Sequence, residues 1–154
     1  MSFPLWPPSV YEAVGAFVAA NLDSVDPVVG AIISRAEHIP AWRAFRDRTE
    51  LERLRQLVGA AWGDVDAVMV PSVPRVPLVR EVEASPVAAN EKLGTYTNFV
   101  NLLDLCALTV PTEPAVPEHP PFSITLVAPA WHDDALVMLG RQLRRDTPAI
   151  HRSG

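Results

Sequence analysis

Apolar residues recur at helical spacing through the first 62 residues of the chain. The stretch Tyr11 to Leu22 has its apolar residues on one side of a helix, which predicts an amphipathic helix there. Asp26 and Pro27 are residue types favoured at the cap and at the first position of a helix. A second helix is therefore predicted from Pro27 to about His38, and a third from Ala41 to Trp62 after Pro40.

Short apolar runs of strand length follow in the second half of the chain. Asp66 to Pro71 comes after Gly63 and ends in proline, as a buried strand would. Ser72 to Asn90 contains three prolines and no sustained period, so it is predicted to be a loop. Thr95 to Leu105 is predicted to be a helix that leads into a strand, Ala107 to Pro111. These segments would form a right-handed strand-helix-strand unit with parallel strands.

The last elements that the sequence predicts are a strand and a covering helix. The apolar run Phe122 to Pro129 follows a Pro-rich turn at residues 112–121, and such a short connection favours antiparallel pairing with the preceding strand. Asp133 is predicted to cap a helix from Ala135 to Arg145, whose C-terminal arginines have the charge that the helix dipole favours.

Together these elements predict an α/β fold with a small mixed sheet and covering helices. We expect one domain over residues 1–154, because a chain of this length can bury a sizeable core. Within it we expect a Pro-rich entry at residues 1–10, a helical part at 11–62, a strand-helix-strand-strand-helix part at 63–147 and a tail at 148–154.

Composition and charge exclude several classes of function. The formal net charge is −5 and Lys92 is the only lysine, so the chain lacks the basic surface that nucleic acid binding needs. The first ten residues carry no basic residue and three prolines. We therefore expect no secretory signal and no membrane span, and the cytosol as the compartment. Cys106 has no second cysteine to pair with and is interpreted as a small buried hydrophobe.

Familiar catalytic and phosphate-binding motifs do not occur in the sequence. There is no Gly-x-Ser-x-Gly elbow, no GxGxxG sequence and no Walker motif. His132, Asp133 and Asp134 could suggest a metal site, but they stand where a helix is predicted to begin, and aspartate is favoured there by capping and by the dipole. The helix start is the preferred interpretation, and no metal site is predicted.

The segment Leu93 to Leu105 contains polar residues that general helix or strand chemistry does not require. Asn98, Asn101 and Asp104 recur every three residues in an apolar run, which places polar groups on one side of the predicted helix. Their favoured role is to tie neighbouring loops together by buried hydrogen bonds, in preference to direct substrate contact. Tyr96 is the member expected to reach a site.

This segment, LGTYTNFVNLLDL, resembles a signature of allophanate hydrolases, a branch of the amidase signature family. Residues 63–74 resemble the family's pattern of Asp-x-Leu-Leu-x-Pro-Thr-x-Pro after a long helix, and residues 122–139 resemble its closing strand and helix. The similarity runs from about Tyr11 to Arg145 and corresponds to roughly the last third of a family amidase domain. It implies a part of the family's α/β/α sandwich.

The resemblance implies amide hydrolysis, but the family's catalytic residues are missing. In that family a serine attacks the amide carbon, while a second serine in a cis peptide and a lysine relay the proton. No Gly-Ser-rich loop of that kind occurs here, and Lys92 does not match the position of the family's lysine. We therefore assign no catalytic residue and expect no hydrolysis by the chain alone.

The resemblance also suggests residues that contact the substrate. The branch carries a Tyr-x-Gly-Pro-Trp-Val-Ala-x-Arg stretch whose tyrosine and arginine bind the carboxylated substrate. Tyr11 is the best match to that tyrosine, at an offset two residues longer, and Asn21 stands where arginine is expected. Asparagine lacks the bidentate charged grip of arginine on a carboxylate. The candidate substrate-binding residues are thus Tyr11, Asn21, Tyr96 and Asn98.

Three hypotheses for function stay open. The first is a fragment of an allophanate hydrolase-like enzyme, which forms ammonia and carbon dioxide from allophanate with a separate amidase chain supplying the nucleophile. The second is a non-catalytic pseudoenzyme module that binds a small molecule or a partner protein, and the asparagine at position 21 favours it. The third is a gene remnant without activity. No cofactor is implied, and exposed strand edges favour a homodimer over a monomer.

Overall fold

The computed structural model of the chain describes residues 6–111 and 122–146, with the backbone alone at residues 6–9 and 146. The predicted Pro-rich turn at 112–121, the first five residues of the entry and the tail at 148–154 lie outside the described residues. The chain forms two compact units, of which the first ends at Gln56 and the second begins at Leu57. The prediction of one domain over the whole chain stays a prediction.

The first unit is helical. It contains α1 (Trp6–Ala20), α2 (Pro27–Ser34) and the larger part of α3 (Ala41–Ala61), with 3-10 turns at Leu22–Ser24 and Arg35–His38. The helix α1 begins at Trp6 rather than at Tyr11, because the first turn of a helix tolerates prolines, whose missing N–H is not needed there. Part of the predicted Pro-rich entry is therefore helical.

The cap predicted for α2 is confirmed. The Asp26 side chain accepts hydrogen bonds from the backbone N–H groups of Val28 at 2.9 Å and of Val29 at 3.1 Å, and Pro27 occupies the first turn. Val18 of α1 and Ile33 of α2 are buried in this unit. The local chemistry of two residues thus sets where α2 begins, and its apolar side chains contribute to the core.

The second unit is built around a three-stranded sheet. It contains β1 (Val68–Pro71), β2 (Leu105–Pro111) and β3 (Ser123–Pro129), with α4 (Val79–Ala84), α5 (Pro86–Leu93) and α6 (Phe99–Leu102) between β1 and β2, and with α7 (Asp133–Asp146) after β3. A 3-10 turn, Gly94–Tyr96, joins α5 to α6. The predicted α/β class is confirmed.

The sheet differs from the mixed sheet that the sequence predicts. The strand order is β1-β3-β2, and β3 pairs antiparallel with both neighbours. The two outer strands run in the same direction but do not touch through hydrogen bonds, because β3 lies between them. Residues 125–128 of β3 are buried without interruption, which suits a central strand covered on both faces. The predicted antiparallel pairing of β2 with β3 is confirmed.

Two further segments differ from prediction. The expected loop Ser72 to Asn90 contains α4 and most of α5, because Pro86 stands at the start of α5, where proline favours a helix. The expected helix Thr95 to Leu105 is confined to a 3-10 turn and the short α6. It is interrupted at Thr97, with φ of −129°, and ends before Asp104, whose φ is +56°.

The core of the second unit lies between the sheet and α7. Val110 of β2, Leu126 and Ala128 of β3 and Leu136 of α7 form one buried cluster. A Cβ on Gly140 would lie 2.8 Å from Leu108 Cδ2, so the absence of a side chain lets α7 approach β2 closely. Cys106 is partly buried, and its Sγ lies 3.0 Å from the carbonyl oxygen of Pro129.

Candidate functional site

The second unit contains a cavity of about 340 Å³ between the loop after β1, the helices α4 and α5 and the turn at 94–96. The volume lies in the range of small-molecule sites. Its apolar wall is formed by prolines, alanines and a leucine, and its polar wall by two cationic residues, one carboxylate and three hydroxyl side chains. The residues are Pro74, Arg75, Pro77, Glu81, Ser85, Ala88, Ala89, Lys92, Leu93, Thr95 and Tyr96.

An ion pair fixes one side of this cavity. The Arg75 guanidinium donates to both carboxylate oxygens of Glu81, at 2.7 Å and 3.1 Å. The backbone N–H of Leu78 donates to the same carboxylate at 2.9 Å. These hydrogen bonds, with that from Arg75 as the largest cause, lower the pKa of Glu81 from 4.5 to about 2. The carboxylate stays ionised and holds Arg75 in place as the loop turns into α4.

Lys92 and Tyr96 form the other side. Lys92 lines the same cavity as Glu81, and its positive charge is the last of the causes that lower the pKa of Glu81. The Thr95 hydroxyl donates to the carbonyl oxygen of Lys92 at 2.7 Å and holds the turn that presents Tyr96. With two cations and one carboxylate, this wall has a net charge of +1. It suits a small ligand that carries one negative group.

Tyr96 is thus the sequence-predicted residue that lines a cavity, whereas Asn98 is not among its lining residues. The Asn98 side chain lies directly over Gly94, where a Cβ would overlap with its amide. Asn98, Asn101 and Asp104 are all exposed. The interpretation that these residues make buried hydrogen bonds is therefore not supported within this chain.

Tyr11 and Asn21 belong to the first unit. The pKa of Tyr11 is raised, first by desolvation and then by the charge of Glu37 and a hydrogen bond to it. The Asn21 amide donates to the carbonyl oxygen of Phe17 at 2.8 Å, near the C-terminal end of α1. Both side chains therefore have partners within their own unit, and their role in substrate binding stays a prediction.

The sequence did not predict Arg75, Glu81 or Lys92 as parts of a site. The sequence carried only a weak signal, because Glu81 stands at the third position of α4 but Leu78 is not one of the residues that normally cap a helix. The three prolines of residues 72–90 indicated a loop. Within residues 6–111 and 122–146, no group of three or more His, Cys, Asp or Glu residues could hold a metal ion.

Comparison with known proteins gives relatives at the level of sequence and of fold. No family model matches the chain. The urea amidolyase of Lachancea kluyveri is 37% identical over 139 residues, which are 89% of this chain and 8% of that protein. An S177A variant of Kluyveromyces lactis allophanate hydrolase is 34% identical with a TM-score of 0.84, over 93% of this chain and 24% of that one.

A more distant structure has the same fold. A 6-aminohexanoate cyclic dimer hydrolase matches 97% of this chain with a TM-score of 0.73 at 18% identity, which shows a shared fold alone.

The chain spans less than a tenth of the curated urea amidolyase and about a quarter of the allophanate hydrolase. It corresponds to a fragment of a larger protein. No helix among the described residues is long and apolar enough to cross a membrane. The resemblance carried by LGTYTNFVNLLDL is confirmed, because the homologues of this chain are urea amidolyases and allophanate hydrolases, which fits the allophanate hydrolase branch of the amidase signature family.

Proposed function

We propose that this chain forms the C-terminal part of an allophanate hydrolase-like amidase domain and depends on the rest of such a domain for its nucleophile. One observation carries this proposal: 93% of the chain follows the fold of an allophanate hydrolase at 34% identity, yet it amounts to 24% of that chain. The missing serine loop in the sequence supports the same conclusion.

The cavity beside Tyr96 is the proposed contribution of this chain to the active site. Allophanate and similar urea-derived amides are small and carry one carboxylate, which matches the net positive wall formed by Arg75, Glu81 and Lys92. Because Arg75 is already held by Glu81 at 2.7 Å, Lys92 is the cation best able to pair with the substrate carboxylate. The Tyr96 hydroxyl would orient the substrate beside it.

Residues of this chain would bind and orient the substrate, and the reaction steps would depend on the rest of the amidase domain. Attack on the amide carbon needs an activated hydroxyl, a proton relay and donors for the oxyanion. We propose that a serine and a lysine outside this chain supply the first two. The chain alone should therefore release no ammonia from allophanate.

The test is ammonia release from allophanate by this chain mixed with K. lactis allophanate hydrolase that lacks the matching segment. The mixture should release ammonia, and each component alone should not. Lys92→Met should raise KM about tenfold with little change in kcat, because a charge-assisted contact made equally to substrate and transition state is lost. Arg141→Met is the matched control, an exposed cation on α7, and should leave KM unchanged. No ammonia from the mixture would contradict the proposal.

A second candidate is a non-hydrolytic module that binds a small carboxylate by itself. The observation in its favour is that residues 74–96 line the cavity without any other part of an amidase. Calorimetric titration of the chain alone with malonate, repeated with Lys92→Met, measures this directly. Binding by the native chain but not by the variant, together with an inactive mixture, would favour the module. A cytosolic location and homodimer formation remain predictions under either function.

A further inference from the structure

The second unit has an apolar groove on the side of the sheet that α7 does not cover. The groove has a volume of about 240 Å³ and an almost entirely apolar lining. It lies between the end of α3, the turn after it, the three strands and α6. The lining residues are Val58, Ala61, Trp62, Val65, Val68, Phe99, Leu103, Leu105 and Val127.

The strand register explains why this face is apolar. Side chains alternate between the two faces of a sheet, and Leu126 and Ala128 of β3 point to the face that packs on Leu136 of α7. Val127 therefore points to the opposite face, and its partner in the register is Val68. A sheet with two apolar faces needs a layer on each of them. Val127 is buried, and the part of this face that lies open is at β1, where Val68 is exposed.

The rim of the groove is exposed, and it continues into an unpaired edge. Val65 and Val68 are each 43% exposed. In the described sheet β1 pairs with β3 alone, so its outer edge presents backbone donors and acceptors beside these side chains. Apolar side chains next to an open strand edge form a surface that binds another polypeptide readily.

The groove also contains an unpaired polar group. The indole N–H of Trp62 is buried and has no hydrogen-bond partner among the described residues. Buried donors are normally paired. An occupant that offers a backbone carbonyl to this N–H would remove the defect.

We infer that this groove and the β1 edge are the surface on which the rest of the amidase domain docks, an inference that rests on the proposed function. The identity of the occupant follows from the comparison with K. lactis allophanate hydrolase, because this fold is kept there as 24% of a much longer chain. Polypeptide that accompanies the same fold in that protein is the natural cover for the apolar face. The occupant is an apolar segment of that remainder, with a carbonyl placed for Trp62.

The test uses co-expression of this full chain with K. lactis allophanate hydrolase lacking the matching segment, followed by purification and measurement of the dissociation constant. Val65→Asp lies in the exposed turn and should weaken binding about tenfold or more, because a charge would be buried in the apolar contact. Val68→Asp, on the strand edge, is a second variant with the same expectation. Met138→Asp is the matched control, since Met138 is 71% exposed on α7 and should bind normally.

The outcomes separate this inference from the proposed function. Weakened binding by both groove variants with normal binding by the control supports the docking surface, even if the complex releases no ammonia. Ammonia release with unchanged binding by both variants would overturn the docking surface and leave the proposed function standing. Failure of the native chain to bind would overturn both. A dimer of this chain alone that Val65→Asp dissociates would assign the groove to a second copy and overturn the inference.

Discussion

Glu81 is the residue whose ionisation is most closely tied to local structure. Its carboxylate accepts hydrogen bonds from Arg75 and from the N–H of Leu78, and its pKa is lowered from 4.5 to about 2. A lowered pKa stabilises the folded state above pH 4.5, and this stabilisation is lost as the pH falls towards about 2. Carbon NMR titration of the side-chain carboxyl should give a midpoint near that value, and Arg75→Met should move the midpoint upwards.

Hydrogen exchange in α4 provides a second test of the role of Glu81. Glu81→Gln should reduce hydrogen-exchange protection in α4 at pH 7, because the neutral amide makes weaker bonds to Arg75 and Leu78 than a carboxylate. Glu83→Gln changes an exposed carboxylate of the same helix and should have little effect. Equal loss of protection in both variants would show that net charge, rather than the ion pair, stabilises α4.

Tyr11 offers a titration in the first unit. Desolvation and Glu37 raise its pKa above 10.0. Ionisation of Tyr11 is therefore harder in the folded state than in the unfolded state. The stability of the fold is kept below pH 10 and falls as the pH rises through the raised pKa. The chain has two tyrosines, so Tyr96→Phe leaves Tyr11 as the single phenol for ultraviolet titration. Adding Glu37→Gln should lower the midpoint, and an unchanged midpoint would contradict the pairing.

At the level of elements, Asp26 determines the start of α2. Its side chain accepts from two backbone N–H groups at 2.9 Å and 3.1 Å. Asp26→Ala should cost about 1 kcal/mol of unfolding free energy in urea, and Asp26→Asn less, because asparagine also caps helices. Asp23→Ala, an exposed aspartate in the preceding 3-10 turn, is the control. A similar loss for both would argue for a general charge effect.

Replacement of two helix glycines by alanine should change the free energy of unfolding in opposite directions. A Cβ on Gly59 of α3 would meet nothing within 4 Å, so Gly59→Ala should stabilise the chain by up to about 1 kcal/mol through helix propensity. A Cβ on Gly140 of α7 would lie 2.8 Å from Leu108 and 3.1 Å from Val110. Overpacking costs about 1–3 kcal/mol, so Gly140→Ala should destabilise despite the same propensity gain. Thermal unfolding of both variants measures the difference.

The elements show which parts of the fold the sequence could predict. Asp26 and Pro27 act within one turn, and the short connection between the last two strands favours their antiparallel pairing, so both features were predictable from the sequence. The separation of β1 from β2 was not, because it depends on β3, which follows both in the chain. The early end of the helix predicted from Thr95 depends on backbone dihedral angles at Thr97 and Asp104, which periodicity does not contain.

The residues of the candidate site also divide into those that the sequence predicted and those that it did not. Tyr96 was identified from an unusual residue pattern, and it does line the cavity. Arg75 and Lys92 line the same cavity as Glu81 only because the segment after β1 and the consecutive helices α4 and α5 bring them together. Such proximity depends on tertiary structure, and the prolines of this segment directed the sequence interpretation towards a loop.

At the scale of the whole molecule, the chain is divided into two units, and the boundary falls between Gln56 and Leu57 in the sequence. That boundary lies inside α3, which runs without interruption from Ala41 to Ala61. Leu51 of the same helix is buried, whereas Val58 and Ala61 line the apolar groove of the second unit. Because helix formation is cooperative, melting α3 in one unit should weaken the part of α3 that belongs to the other.

We therefore predict one unfolding transition for both units. Ile33→Ala removes a buried side chain of the first unit and Leu126→Ala one of the second, and each should cost about 2–5 kcal/mol. In a single cooperative domain, both variants lower the same calorimetric transition, with equal calorimetric and van't Hoff enthalpies. Two transitions, each lowered by one variant alone, would contradict the single-domain prediction. Pro at the boundary, as in Leu57→Pro, should separate the transitions, because proline breaks the shared helix by removing a backbone hydrogen bond.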